Sequence, residues 1–138
     1  GVGTELATSR DDPTLSGVYK LIEYNNIPRI KISEEKITYP GIKQVYRKYD
    51  RNGILEEDII MLSNEPAPAN IDPLLHPVMK NGRLIANLPG IDEIQRYYLE
   101  NIKKLSDEYK KLEKVHPFGI KLSKHLRNLT NQLKSKYH

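Results

Sequence analysis

The 138 residues contain no cysteine, no tryptophan, a single phenylalanine and no long apolar run. Without cysteine the chain can build neither a disulfide framework nor a thiolate metal ligand or nucleophile. With no apolar run of about 18 residues, no segment reads as a membrane span. No basic, apolar and small-residue succession reads as a secretory signal. A soluble, cytoplasmic protein is the reading these absences favour. Excess charge of one sign is also missing from most of the chain. Residues 1–90 hold 11 Lys/Arg against 12 Asp/Glu, and residues 91–138 hold 11 against 6. The basic excess at the end is broken up by Glu100, Asp107, Glu108 and Glu113. That pattern suits a solvated helical surface better than a nucleic-acid patch.

What is there is lean. The apolar fraction is 38% and the charged fraction 29%, and nine tyrosines supply nearly all the aromatic surface. The length allows one ordinary domain. The composition is compatible with a piece whose further contacts lie elsewhere. Tyrosine suits half-buried faces, where the ring is covered and the hydroxyl stays wet.

Strands are predicted before helices. Val18–Tyr24 is β-branched and aromatic without a breaker, Asn25–Pro28 reads as a turn, and Arg29–Ser33 alternates, which together predict a hairpin. Pro40-Gly41 closes the next loop. Lys43–Tyr49 reads as a third strand, Asp50–Gly53 as a turn containing Asn-Gly, and Asp58–Leu62 as a fourth strand covered on both faces. Four prolines between 64 and 77 predict an extended connector. Asn81-Gly82 predicts a further compact hairpin. The period then changes. Ile94, Tyr98, Ile102 and Leu105 make one helical stripe, with Pro89-Gly90 before it and Asp92 and Glu93 in its first turn. Pro117–Gly119 marks a break, after which Leu122, Leu126, Leu129 and Leu133 make a second stripe. Strands followed by helices predict an α+β fold. Its segments are 1–25, a strand-rich 26–88 and a helical 89–138.

The chemistry-bearing candidates are few. Gly1-Val2-Gly3-Thr4 can hold a phosphate, because glycines let the main chain approach an anion and Thr4 adds a hydroxyl donor. A short helix is expected near Glu5–Thr8. His76, His116, His125 and His138 show no metal-ligand spacing and read as surface or capping groups. No carboxylate pair has acid–base spacing. From the residues alone, no metal site and no catalytic group is assigned to this chain.

The order of segments carries more than any one motif. Gly1–Leu6, Pro13 and Gly17–Leu21 resemble the last barrel segment of nicotinate phosphoribosyltransferase. Lys31-Ile32-Ser33, Lys36, Thr38 and Pro40–Arg47 resemble that family's Lys-x-Ser … Lys-x-Thr-x-Pro-Gly stretch. Glu65-Pro66, Leu74-Leu75, Pro77–Met79 and Asn81-Gly82 follow in order, and Leu122–Leu133 is similar to its closing helix. The resemblance covers essentially the whole chain and implies the C-terminal part of a type II phosphoribosyltransferase α/β-barrel enzyme. It implies a reaction joining nicotinate to phosphoribosyl pyrophosphate, coupled to ATP hydrolysis with Mg2+, in NAD biosynthesis. Gly3 and Thr4 match the family's phosphate-binding turn. The catalytic histidine and the nicotinate contacts are implied to lie upstream, so the isolated chain is expected to be inactive. A homodimer with the rest of the enzyme chain is implied as well. Lys36 and Arg47 fall in family-like stretches, and sheet-surface solubility is the favoured account of both. The alternative is a stand-alone basic module that binds nucleic acid or a protein partner.

Overall fold

The computed structural model describes residues 18–33, 38–69, 71–111 and 115–137. Its first feature is a tight hairpin, β1 (Glu23–Tyr24) with β2 (Ile27–Pro28), paired Glu23 to Pro28 and Tyr24 to Ile27. Asn25 and Asn26 turn the chain at φ 49° and 58°. Two successive positive φ values are what a two-residue hairpin turn requires, and asparagine tolerates them. The ladder is shorter than the expected Val18–Tyr24 and Arg29–Ser33 strands, and the turn is two residues rather than four. The paired ladder ends at Glu23 and Pro28. The backbone beyond it is held by bonds from Arg29 N–H and Gly41 N–H to the Ile22 carbonyl, each 2.8 Å.

The central sheet has four strands in the order β5-β3-β4-β8. β3 (Lys43–Tyr49) and β4 (Leu55–Leu62) are antiparallel neighbours joined by the Asp50–Gly53 turn. Asp50 Oδ1 accepts N–H bonds from Asn52 and Ile54, both 2.8 Å, and Gly53 takes φ 76°. β4 begins three residues earlier than its apolar run suggests. Glu57 and Asp58 pair with β3 across from cations, and Glu56 is the unpaired residue of the ladder: Lys48 meets Glu56 and Glu57, Lys121 meets Glu57, and Arg47 meets Asp58. A register shift at Lys48/Tyr49 adds a bulge there. The Pro-rich connector is extended as expected. Within it β5 (Asp72–Pro73) forms an edge of the sheet against Tyr46 and Arg47, the place where a proline is tolerated. The Asn81-Gly82 hairpin is also present, as β6 (Met79–Lys80) with β7 (Arg83–Leu84).

α1 (Ile91–Lys103) follows, with the Glu93 carboxylate accepting the Gly90 N–H at 2.9 Å. A short 3-10 turn covers Asp107–Lys110. Leu122 does not belong to the last helix. It lies in β8 (Ile120–Leu122), which pairs in parallel with Asp58–Ile60 of β4. α2 (Lys124–Tyr137) starts only after Ser123, whose hydroxyl accepts the Leu126 N–H at 3.0 Å. Four leucines at helical spacing concealed that stop and start. The sheet therefore draws on both the 26–88 and the 89–138 segments.

Among the described residues, Tyr46, Met61 and Leu126 are the buried large apolar residues, with Pro40, Thr38 and Thr130 also buried. The Thr130 hydroxyl donates to the Leu126 carbonyl at 2.7 Å, and the Thr38 hydroxyl accepts the Lys31 N–H at 2.9 Å. These two hydroxyls are thereby paired, as burial favours, whereas the buried Ser33 hydroxyl has no hydrogen-bond partner among the described residues. Strands, then helices, with helices flanking one sheet make the architecture α+β. No described helix is long and apolar enough to cross a membrane.

Candidate functional site

The phosphate-loop candidates Gly1 to Thr4, and the expected helix near Glu5–Thr8, lie outside the described residues, and so does Lys36. Arg47 is described. It stands on β3 opposite Asp58 on β4 and donates from Nε and Nη2 to the two carboxylate oxygens at 2.9 and 2.8 Å. Asp58 holds the guanidinium pKa above its ordinary value, chiefly through those hydrogen bonds. Arg47 thus serves the sheet, in a bidentate pair with fixed geometry. Lys43 is also committed, donating to the carbonyls of Tyr39 and Gly41 at 2.7 and 2.6 Å, and partial burial lowers its pKa.

The described histidines do not converge, and His138 lies outside the described residues. His76 and His116 are exposed in connecting segments. His125 meets Glu65 at 3.1 Å, Nδ1 to Oε2. Among the described residues no three of His, Asp and Glu come together to hold a metal ion.

A polar node centres on Glu65. Its side chain is 8% exposed. Oε1 accepts from the Ser123 hydroxyl at 2.6 Å and from the Leu62 N–H at 2.7 Å. Burial pushes the carboxyl pKa up. The bonds from Ser123, Leu62 and His125 outweigh it and hold the group below the usual glutamate value. Ser123 in turn accepts the Leu126 N–H. One buried carboxylate therefore links the end of β4 to the start of α2. Gln44 makes a second long tie, donating to the Leu75 carbonyl at 2.9 Å and accepting its N–H at 3.0 Å. Neither tie was read from the sequence. The available signals were a serine three residues before Leu126, which marks a helix cap, and the polar Gln44 within an otherwise sheet-like run.

A groove runs beside α1. One hollow of about 270 Å³ is lined by Arg47, Tyr49 and Leu55 on the sheet and by Ile94, Tyr97 and Tyr98 among the helix residues. A second, about 410 Å³, is lined by Leu88, Pro89, Glu93, Ile94 and Tyr97. Lys104 Nζ sits 5.1 Å from the Tyr49 ring centre, and the Lys104 carbonyl accepts the Leu55 N–H at 2.7 Å. The groove is apolar with cationic groups at one end, a surface suited to docking rather than to proton transfer.

Residues 67–130 match the family described as nicotinate phosphoribosyltransferase C-terminal domain. The mouse nicotinate phosphoribosyltransferase is 30% identical over 99% of this chain, and the Mycobacterium tuberculosis protein pncB2 is 40% identical over 82%. The crystal structure of human nicotinic acid phosphoribosyltransferase superposes with a TM-score of 0.76 at 27% identity, over 88% of this chain. This chain resembles nicotinate phosphoribosyltransferases along nearly its whole length. It spans 30% of the length of the mouse relative and 27% of the human structure. The family-like stretches noted in the sequence now have physical roles. Thr38, Pro40 and Gly41 pack the loop into β3, Gln44 and Arg47 lock β3 to its neighbours, and Glu65 with Ser123 anchors the last helix. The comparisons favour this family over a stand-alone nucleic-acid or protein-binding module. In the structure, Lys48, Lys110 and Lys121 are engaged with nearby carboxylates.

Proposed function

We propose that this chain is the C-terminal part of an enzyme that joins nicotinate to phosphoribosyl pyrophosphate, releasing nicotinate mononucleotide and pyrophosphate in NAD biosynthesis. The observation that carries this reading is the match to nicotinate phosphoribosyltransferases along nearly the whole chain, in sequence and in backbone. The reaction requires that the ribosyl 5-phosphate be held while the pyridine nitrogen meets the anomeric carbon, and such positioning accounts for much of the rate of a bimolecular transfer. Gly3 and Thr4 are assigned that phosphate, through their backbone N–H groups and the Thr4 hydroxyl. Gly1 and Val2 shape the loop.

The described residues act as the support behind that site. By the same resemblance, the ATP and Mg2+ of the coupled reaction are assigned to other parts of the enzyme. The same reading carries a cytoplasmic homodimer that includes the remainder of the enzyme chain.

The test is a direct assay of the longer polypeptide that contains this sequence. It is expected to form nicotinate mononucleotide from nicotinate and phosphoribosyl pyrophosphate. No product from nicotinate under any nucleotide supplement would refute the reading.

A further inference from the structure

We propose that the groove beside α1 is the seat of an apolar segment from the part of the enzyme polypeptide that these 138 residues do not include. This rests on the reading of the chain as one portion of a larger nicotinate phosphoribosyltransferase.

α1 is amphipathic, yet none of its residues is buried. Ile91 is 77% exposed, Tyr97 66% and Tyr98 57%, with Ile94 and Leu99 close behind. The two hollows meet at Ile94 and Tyr97, so the exposed stripe and the groove form one continuous surface. An amphipathic helix gains its stability by covering its apolar stripe, and a contiguous apolar patch of this kind marks an interaction surface.

The length of the relatives selects the occupant. The mouse relative is more than three times as long as the portion matched here, so most of the polypeptide in such an enzyme must pack somewhere beyond these residues. The hollow between Tyr49, Leu55 and Tyr98 fits one or two aromatic or branched anchors from elsewhere in the same polypeptide. Lys104 at its rim favours an acidic residue beside those anchors.

The test uses the complete enzyme with the photo-crosslinking residue p-benzoylphenylalanine in place of Tyr97. The expected product is an intrachain crosslink to a peptide outside the 138 residues. Crosslinks between two chains, crosslinks confined to these residues, or none at all would overturn the proposal. A second measurement compares thermal midpoints. Ile94→Asp and Tyr97→Asp should lower the midpoint of the complete enzyme by several degrees, while Leu84→Asp, on the exposed β6–β7 hairpin, should not. Equal midpoints for all three would overturn it as well. Turnover by the wild-type enzyme tests the functional reading separately, so a silent groove in an active enzyme refutes the docking alone.

Discussion

The hydroxyl of Ser123 donates to the carboxylate of Glu65 at 2.6 Å, across 58 positions of sequence. The pair joins the turn after β4 to the first turn of α2, and both groups are shielded enough for the bond to matter. Removing either partner leaves the other, and the N–H groups they serve, short of hydrogen bonds. Glu65→Ala is expected to destabilise the chain by about 2 kcal/mol, the scale for orphaning buried polar partners. Ser123→Ala is expected to cost about 1 kcal/mol as a lost helix cap. Because they share one network, the double variant should cost less than the two together. Denaturant midpoints of the four proteins check this, and strict additivity would contradict it.

The same node sets a pH dependence. Glu65 is held below the usual glutamate pKa in the folded chain. A depressed carboxylate pKa contributes stability that is present above the unfolded value and is lost as pH falls through the folded one. Stability should therefore fall below about pH 4.5, the ordinary glutamate range, and Glu65→Gln should flatten that fall. Melting curves between pH 3 and 7, compared for the two proteins, decide it.

Gly41 takes a side chain only if Leu62 gives way. The glycine sits at φ 77°, and an added Cβ would come within 2.9 Å of Leu62 Cδ2. Gly41→Ala combines left-handed strain with a clash against β4, and is expected to cost about 1–3 kcal/mol. Gly82→Ala has a similar φ of 73° and open space around it, so its cost should be the smaller. Equal losses would mean that packing against Leu62 is immaterial.

Much of this was legible in the chain itself because the signals were local. Asn-Gly and Asp at the β3–β4 turn, the prolines of the connector, and Pro89-Gly90 before α1 each act within a few residues of the structure they specify. What escaped was non-local. β8 is a strand because β4 offers it a free edge, and no property of Ile120–Leu122 announces that. Leu55–Glu57 extend β4 before Asp58, with Glu56 and Glu57 meeting Lys48 and Lys121. Within the site, a resemblance suggested Arg47, but only the register revealed its partner Asp58. The Glu65–Ser123 node had a visible half, the cap at Ser123, and a hidden half 58 positions away.

The Arg47–Asp58 pair yields a measurable coupling. The side chains are 27% and 14% exposed, so solvent screens the attraction in part. A double-mutant cycle with Arg47→Met and Asp58→Asn should return about 1 kcal/mol of coupling, above the few tenths typical of fully exposed pairs. Arg47→Lys should recover little of it, since an ammonium cannot span both carboxylate oxygens. Full rescue by lysine would show that charge, not the fork geometry, holds β3 to β4.

The proposed phosphate loop makes the sharpest kinetic claim. If Thr4 donates its hydroxyl to the ribosyl phosphate, Thr4→Ala in the complete enzyme removes one hydrogen bond to a charged group, a loss of about 1.5–3 kcal/mol. That corresponds to roughly ten- to hundredfold in kcat/KM for phosphoribosyl pyrophosphate. The KM for nicotinate should stay nearly constant, because the loop is assigned no contact with the pyridine. Thr4→Ser keeps the donor and should restore most of the activity. A variant with unchanged phosphoribosyl pyrophosphate kinetics would remove Thr4 from the site. The separated 138 residues should form no nicotinate mononucleotide at all, since a phosphate cradle without the reacting groups can bind a substrate but not transform it.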